Sequence, residues 1–274
     1  MKRIYIALAM LISAMAATPA YASGGGLHTW TFITYINNAL QKALGTHTDM
    51  THIIMFTIIV LFLAVSGAVI GSSYRKKLES GDIDPSPKFS FSNIIETAVA
   101  MVLSLLDEIV GHNSKKYLTL MGSLALVIFF SNVGGLIPGA ALPTSNINTT
   151  LALALTVFIM YNYYGMRSHG VLKYLEHFMG PIEGGLKFAM APIMIPIEFI
   201  SHLARPMSLS LRLFGNMFGD HTILAVFMVG MGIAWPFIYP MPFLFLGLLV
   251  SIVQTLVFIM LTMVYISLAT ASDH

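Results

Sequence analysis

From Met50 to Tyr74 the chain carries no Asp, Glu, Lys or Arg, and the stretches Tyr117 to Met166 and Phe243 to Ala271 are equally free of them. Runs of this length have one common solvent. A hydrocarbon core about 30 Å thick is crossed by about 20 residues of helix, in which every backbone polar group is satisfied internally. The overall balance agrees, with 57% hydrophobic and 9% charged residues and a mean hydropathy of +0.81, against about 25% charged in soluble domains. The expected fold is an all-α membrane protein with about five spanning helices and one amphipathic helix at the cytoplasmic surface, the last two spans long and tilted.

The ends of the apolar runs set the organisation. Lys2 and Arg3 precede an apolar run from Ile4 to Ala17, and Ala20-Tyr21-Ala22 supplies a small-x-small cleavage pattern. Residues 1–22 are therefore expected to be a signal peptide, 23–49 an extracytoplasmic segment and 50–274 the membrane domain. Arg75-Lys76-Lys77 closes the first span, Lys115-Lys116 opens the second and Arg167 with Lys173 follows the third. Basic residues collect on the cytoplasmic side, so the mature N-terminus is expected outside and the C-terminus inside. Residues 78–91, with Gly81, Pro85 and Pro87, read as a cytoplasmic loop, and Asn93 with Glu96 resembles a capping box that starts the surface helix. Ile94, Ile95, Ala98, Val102, Leu105, Leu106 and Ile109 recur at helical spacing, with Glu96, Thr97, Ser104, Asp107 and Glu108 largely off that stripe. Gly134, Gly135, Pro138, Gly139 and Pro143 break the middle of the second charge-free stretch into two spans joined by an outer turn, and Trp235, Pro236, Tyr239, Pro240 and Pro242 mark an interfacial turn before the last span.

A formal charge of +2 offers no footprint for nucleic acid, and a chain with no cysteine holds neither disulfides nor thiolate metal sites. Nothing in the sequence implies a cofactor. No H-E-x-x-H or G-x-S-x-G pattern accompanies His52, His202 or His221, which argues against an intramembrane hydrolase.

The chemistry concentrates between Ile197 and His221. At about 100° per residue, Arg205, Ser208, Arg212 and Asn216 share one helix face, with Ser201 close to it and Glu198 within about 40°. An Arg at the centre of a spanning helix costs at least about 2.5 to 3.5 kcal/mol on insertion scales. Arg212 has Ser208 and Asn216 at its i±4 positions and no carboxylate at i±3 or i±4; Asp220 lies about 12 Å along the axis and Glu198 about 21 Å the other way. A counter-charge is therefore expected from another chain. A guanidinium keeps its proton at accessible pH, so Arg212 can attract an anion and repel protons without relaying them.

Leu211-Arg212-Leu213-Phe214-Gly215-Asn216-Met217, preceded by Arg205-Pro206-Met207-Ser208-Leu209-Ser210, resembles the signature of subunit a of F-type ATP synthases, the F0 sector of bacterial type. Gln254 with Phe258, Leu261-Thr262 and Tyr265-Ile266-Ser267 in the last run, and Pro143-Thr144 with Asn146 to Leu151, extend the similarity over nearly everything from Asp49 onward. The resemblance implies a stator subunit, not catalytic by itself, whose two offset half-channels carry protons past a rotating ring of c subunits in the inner (plasma) membrane of a bacterium. It also implies assembly with b-type peripheral stalk subunits and the remainder of the F0F1 complex. Carried over by position, Arg212 is the essential charge, Gln254 its expected neighbour, Asn216 and Ser208 line the same region, and Glu198 belongs to the cytoplasmic exit path. Tyr265 lies eleven residues after Gln254, on the same helix face. Where the family commonly has an acid or histidine nine positions after the Arg, this chain has His221, preceded by Asp220. The position that often holds a compensating His or Glu is Gly247, so His221 and Asp220 are the expected proton-uptake pair. Gly135 also stands where relatives have an acid, leaving Asn132, Asn146 and Asn148 as further candidates to line the outer path. The alternative is a stand-alone ion channel or secondary transporter, which would also set an Arg against water but often carries inverted repeats; no repeat is evident here.

Overall fold

The computed structural model describes residues 32–45, 51–80, 91–111, 114–136, 142–171, 173–174, 186–230 and 240–270. The signal peptide expected at 1–22 and the expected turn at Trp235, Pro236 and Tyr239 lie outside the described residues, as do the side chains of Arg75-Lys76-Lys77. The described elements are the helices α1 (Phe32–Leu44), α2 (Thr51–Ser80), α3 (Phe91–Ile109), α4 (Lys115–Gly134), α5 (Ile147–His169), α6 (Leu186–Gly230) and α7 (Pro240–Thr270), with a 3-10 turn at Pro143–Ser145 and no strand among them. The fold is thus all-α. α2, α4 and α7 are each long and apolar enough to cross a membrane, over Thr51–Ser72, Lys115–Gly134 and Met241–Thr270. α5 and α6 have the length but are more polar, because Asn148, Thr149, Thr150 and Asn162 lie on one and Glu198, Arg205, Arg212 and Asp220 on the other.

Three boundaries differ from the sequence reading. α2 continues through Ser80, so the expected loop at 78–91 is shorter at its start, and α3 already begins at Phe91. Asn93 therefore sits inside α3 and cannot be its cap; its carbonyl instead accepts the Thr97 hydroxyl at 2.8 Å. Pro240 and Pro242 belong to the first turn of α7, where proline removes no helical hydrogen bond. Asn146 is a true cap: its side-chain Oδ1 accepts the Asn148 N–H at 2.9 Å at the start of α5.

The core is where α4, α5, α6 and α7 meet. Met121 and Ile128 of α4, Val157 and Tyr161 of α5, Leu209 and Leu213 of α6, and Phe258, Met263 and Ile266 of α7 are buried in one cluster. α3 adds Val102 and Leu106, the middle of its expected apolar stripe, while Glu96, Thr97, Ser104, Asp107 and Glu108 stay exposed. Its polar side thus keeps access to solvent. α5 approaches α7 closely at Gly165, where a Cβ would stand 3.0 Å from the Ala269 carbonyl oxygen and 2.5 Å from Tyr174 Cε2. Only glycine fits there.

α6 is the element that places the site. Its 45 residues extend about 68 Å at 1.5 Å per residue, more than twice the hydrocarbon thickness, so it must tilt, kink or extend beyond the hydrocarbon. His202, Pro206, Leu209, Leu213 and Met217 recur at steps of three and four and are buried against α5 and α7. The opposite side, including Leu203, Met207, Leu211 and Phe218, is uncovered.

Candidate functional site

The polar stripe read from the sequence lies mainly on the uncovered side of α6. Ser201, Ser208, Arg212 and Asn216 are exposed, and Glu198 and Arg205 are half-buried at its margin. Arg212 has neither a hydrogen-bonded nor an ion-paired partner among the described residues. Around it the surface is low, since a Cβ added at Gly215 or Gly219 would meet nothing within 4 Å. A second backbone could come close to the guanidinium here.

Behind this surface, α7 supplies a buried amide. Gln254 is 2% exposed, and its Oε1 accepts a hydrogen bond from Asn216 Nδ2 at 2.5 Å. The structure therefore joins Gln254 to Asn216, one turn beyond Arg212. Gln254 Nε2 is buried with no partner among the described residues, which costs about 1 to 3 kcal/mol when nothing compensates. The donor is held at the edge of the exposed stripe.

Tyr265, further along α7, is half-buried, with the Arg205 guanidinium 5.8 Å from its ring centroid. A cation held over an aromatic face is worth about 0.5 to 2 kcal/mol depending on desolvation. Arg205 is thereby occupied, which separates it from Arg212. Glu198 lies one turn before His202 on α6.

At the other end of the stripe, Asp220 packs against the last helix. A Cβ on Gly247 would fall 2.7 Å from Asp220 Oδ2, and 2.6 Å from Leu136 Cδ2. The missing side chain on α7 makes the room that the carboxylate of α6 fills. His221 follows on the same helix, with its side chain outside the described residues. Gly135 behaves differently, because a Cβ there would run into Leu142, whose own Cβ would be 2.9 Å away. No acid could be accommodated at that position without moving the turn. Of the asparagines expected nearby, Asn132 is buried and accepts the Thr144 hydroxyl at 2.9 Å, its own Nδ2 having no partner among the described residues. Asn146 Nδ2 lies 3.3 Å from His52 Nδ1 while its Oδ1 caps α5, and Asn148 is exposed.

Sequence reasoning missed one cluster. Asn162 Oδ1 receives both His202 Nε2 and the Tyr174 hydroxyl at 2.8 Å, and the Tyr161 hydroxyl is 3.2 Å from the same ring nitrogen. His202 is found on the buried side of α6, away from the charged stripe; its only sequence signal was a polar residue in step with Leu209 and Leu213.

Comparison with known proteins bears on the family. The sequence profile of the ATP synthase A chain matches residues 50–267. Among curated relatives, the ATP synthase subunit a of Bdellovibrio bacteriovorus is 40% identical over 241 residues, covering 86% of this chain and 99% of that protein. The subunit a of Trichlorobacter lovleyi is 35% identical over 248 residues, 90% of this chain and all of its own length at 100%. ATP synthase subunit a 1 of Syntrophotalea carbinolica is 45% identical over 182 residues, 66% of this chain and 74% of that protein. With a profile match over most of its length and relatives aligned almost end to end, the chain belongs to the ATP synthase A chain family.

Proposed function

We infer that this chain is the proton-translocating stator subunit of the ATP synthase membrane sector, not catalytic by itself, and that Arg212 is its working charge. The observation that carries the reading is the exposed guanidinium on the uncovered side of α6, free of any carboxylate among the described residues. Centring a charge in an apolar helix is retained only where it meets protein or water. A moving carboxylate on a ring of c-type subunits would satisfy Arg212 in turn with each subunit that passes. Such a carboxylate gives up its proton as it nears the fixed cation, because an opposite charge favours the ionised form. The same cation repels protons and so blocks a direct leak between the two aqueous paths.

Asn216, Gln254 and Ser208 are read as the polar lining next to that contact. Asp220, in the space left by Gly247, is read with His221 as the uptake pair on the outer side. Glu198 and Tyr265 are read as belonging to the inner path. The basic residues at 75–77, 115–116 and 167 support a mature N-terminus outside and a C-terminus in the cytoplasm of a bacterial cell. The exposed apolar length of α2 supports contact with lipid and with b-type stalk subunits.

The test is Arg212→Ala and Arg212→Lys in the assembled enzyme in membrane vesicles. Both are expected to insert normally and to lose proton-driven ATP synthesis, the lysine variant because a desolvated ammonium can give up its proton. Normal synthesis in either would refute the reading. A stand-alone channel would instead move protons or solute when purified without a c-type partner.

A further inference from the structure

Helix α6 is broken in its hydrogen-bond ladder at three places, Pro192, Pro196 and Pro206. Each proline lacks an N–H and leaves the carbonyl four residues earlier without its helical donor. For Pro206 that carbonyl belongs to His202. The break falls between the half of α6 that carries Glu198 and the half that carries Arg212, where a kink would swing the guanidinium sideways. One side of α6 is uncovered at this point, so resistance to such a swing must come from the side packed on α5 and α7.

Polar bonds from other helices hold α6 around that break, besides the Tyr161 hydroxyl of α5 at 3.2 Å from the His202 ring. His202 Nε2 reaches Asn162 Oδ1 of α5 at 2.8 Å. Ser210 Oγ lies 3.1 Å from Thr150 Oγ1 of α5, and Asn216 Nδ2 donates to Gln254 Oε1 of α7 at 2.5 Å. The first of these is placed on the weakened residue itself. Because Asn162 Oδ1 can only accept, Nε2 must be the donor. The Asn162 amide is anchored in turn: its Nδ2 donates to the Phe158 carbonyl at 2.6 Å, and its Oδ1 also takes the Tyr174 hydroxyl. His202 is 8% exposed and Tyr161, packed against its ring with centroids 5.2 Å apart, is 1% exposed. The ring is clamped, not mobile.

We propose that His202 is a positioning residue: its bond to Asn162 locks α6 to α5 at the Pro206 break and so sets where Arg212, about 15 Å further along the helix, meets its partner. The inference rests on the reading of Arg212 as the working charge. It assigns no proton-carrying step to His202.

The chain has no cysteine, so a pair introduced as Thr150→Cys with Ser210→Cys reports the spacing of α5 and α6 through the yield of disulfide. In the assembled enzyme, His202→Leu is expected to lower that yield and to cut ATP-driven proton pumping at least about tenfold, given that a misplacement of about 1 Å can cost about a hundredfold. His202→Gln can still donate to Asn162 but cannot titrate. It should keep at least half of both signals, with the pH profile of pumping unchanged. A glutamine variant as defective as the leucine variant would overturn the proposal, as would a leucine variant with undiminished pumping, or with pumping lost and cross-linking unaltered. Should His202→Leu fail to accumulate, Asn162→Ala removes the same bond from the other side and carries the same expectations. If Arg212→Ala pumps normally, the reading of the working charge fails and the lock is judged on cross-linking alone.

Discussion

Asp220 and Gly247 face each other across α6 and α7, with Asp220 Oδ2 2.7 Å from the point a Cβ on Gly247 would take. The carboxylate is the end of a short side chain and can rotate away, so a larger residue at 247 would displace it more than it would unfold the helices. Gly247→Val is expected to cost about 1 to 3 kcal/mol, the range for overpacking, and to slow ATP-driven proton uptake in vesicles as much as Asp220→Asn does. The two changes should be less than additive, since they act on one contact. Full additivity would mean that the packing and the carboxylate work separately. The sequence made Gly247 visible as a departure from the family pattern and Asp220 as a candidate for proton uptake, but not that the two meet: that depends on the distance between two helices.

The elements owe their positions to a few contacts of the same kind. α4 ends at Gly134, and Gly135 tucks under Leu142 just before the 3-10 turn at Pro143–Ser145. Gly135→Ala would push on Leu142 close to the backbone, where little can rotate aside, and should destabilise the turn by about 1 to 3 kcal/mol. A fall in the thermal stability of the detergent-solubilised complex checks this; an unchanged midpoint would mean the turn is free to shift. α5, α6 and α7 were legible from apolar runs and from proline and glycine interruptions, with ends within a few residues of those observed. The start of α3 was not. Asn93 and Glu96 have the spacing of a cap, yet the helix already begins at Phe91, since cap-forming residues are also tolerated inside a helix when the apolar face is held by tertiary packing.

At the scale of the molecule, α6 lies at the side of the bundle, packed on α5 and α7, and turns Ser208, Arg212 and Gly215 outward. A cysteine placed at Ser208 or Gly215 should cross-link to a c-type subunit in the assembled enzyme, whereas one at Phe258, 0% exposed in the core, should not. Cross-linking from neither exposed position would remove α6 from the rotor contact. The membrane class, the apolar helices and the lack of a carboxylate within a turn of Arg212 followed from the sequence by itself, because they depend on hydropathy and on the fixed 100° step of a helix. What only the tertiary structure decided is which neighbours the polar groups have: Gln254 bonded to Asn216, Arg205 over Tyr265, Asp220 in the gap at Gly247 and His202 on Asn162. Each of those pairings joins residues far apart in the chain, and their distances are set by how the long helices cross, a quantity that local periodicity does not contain.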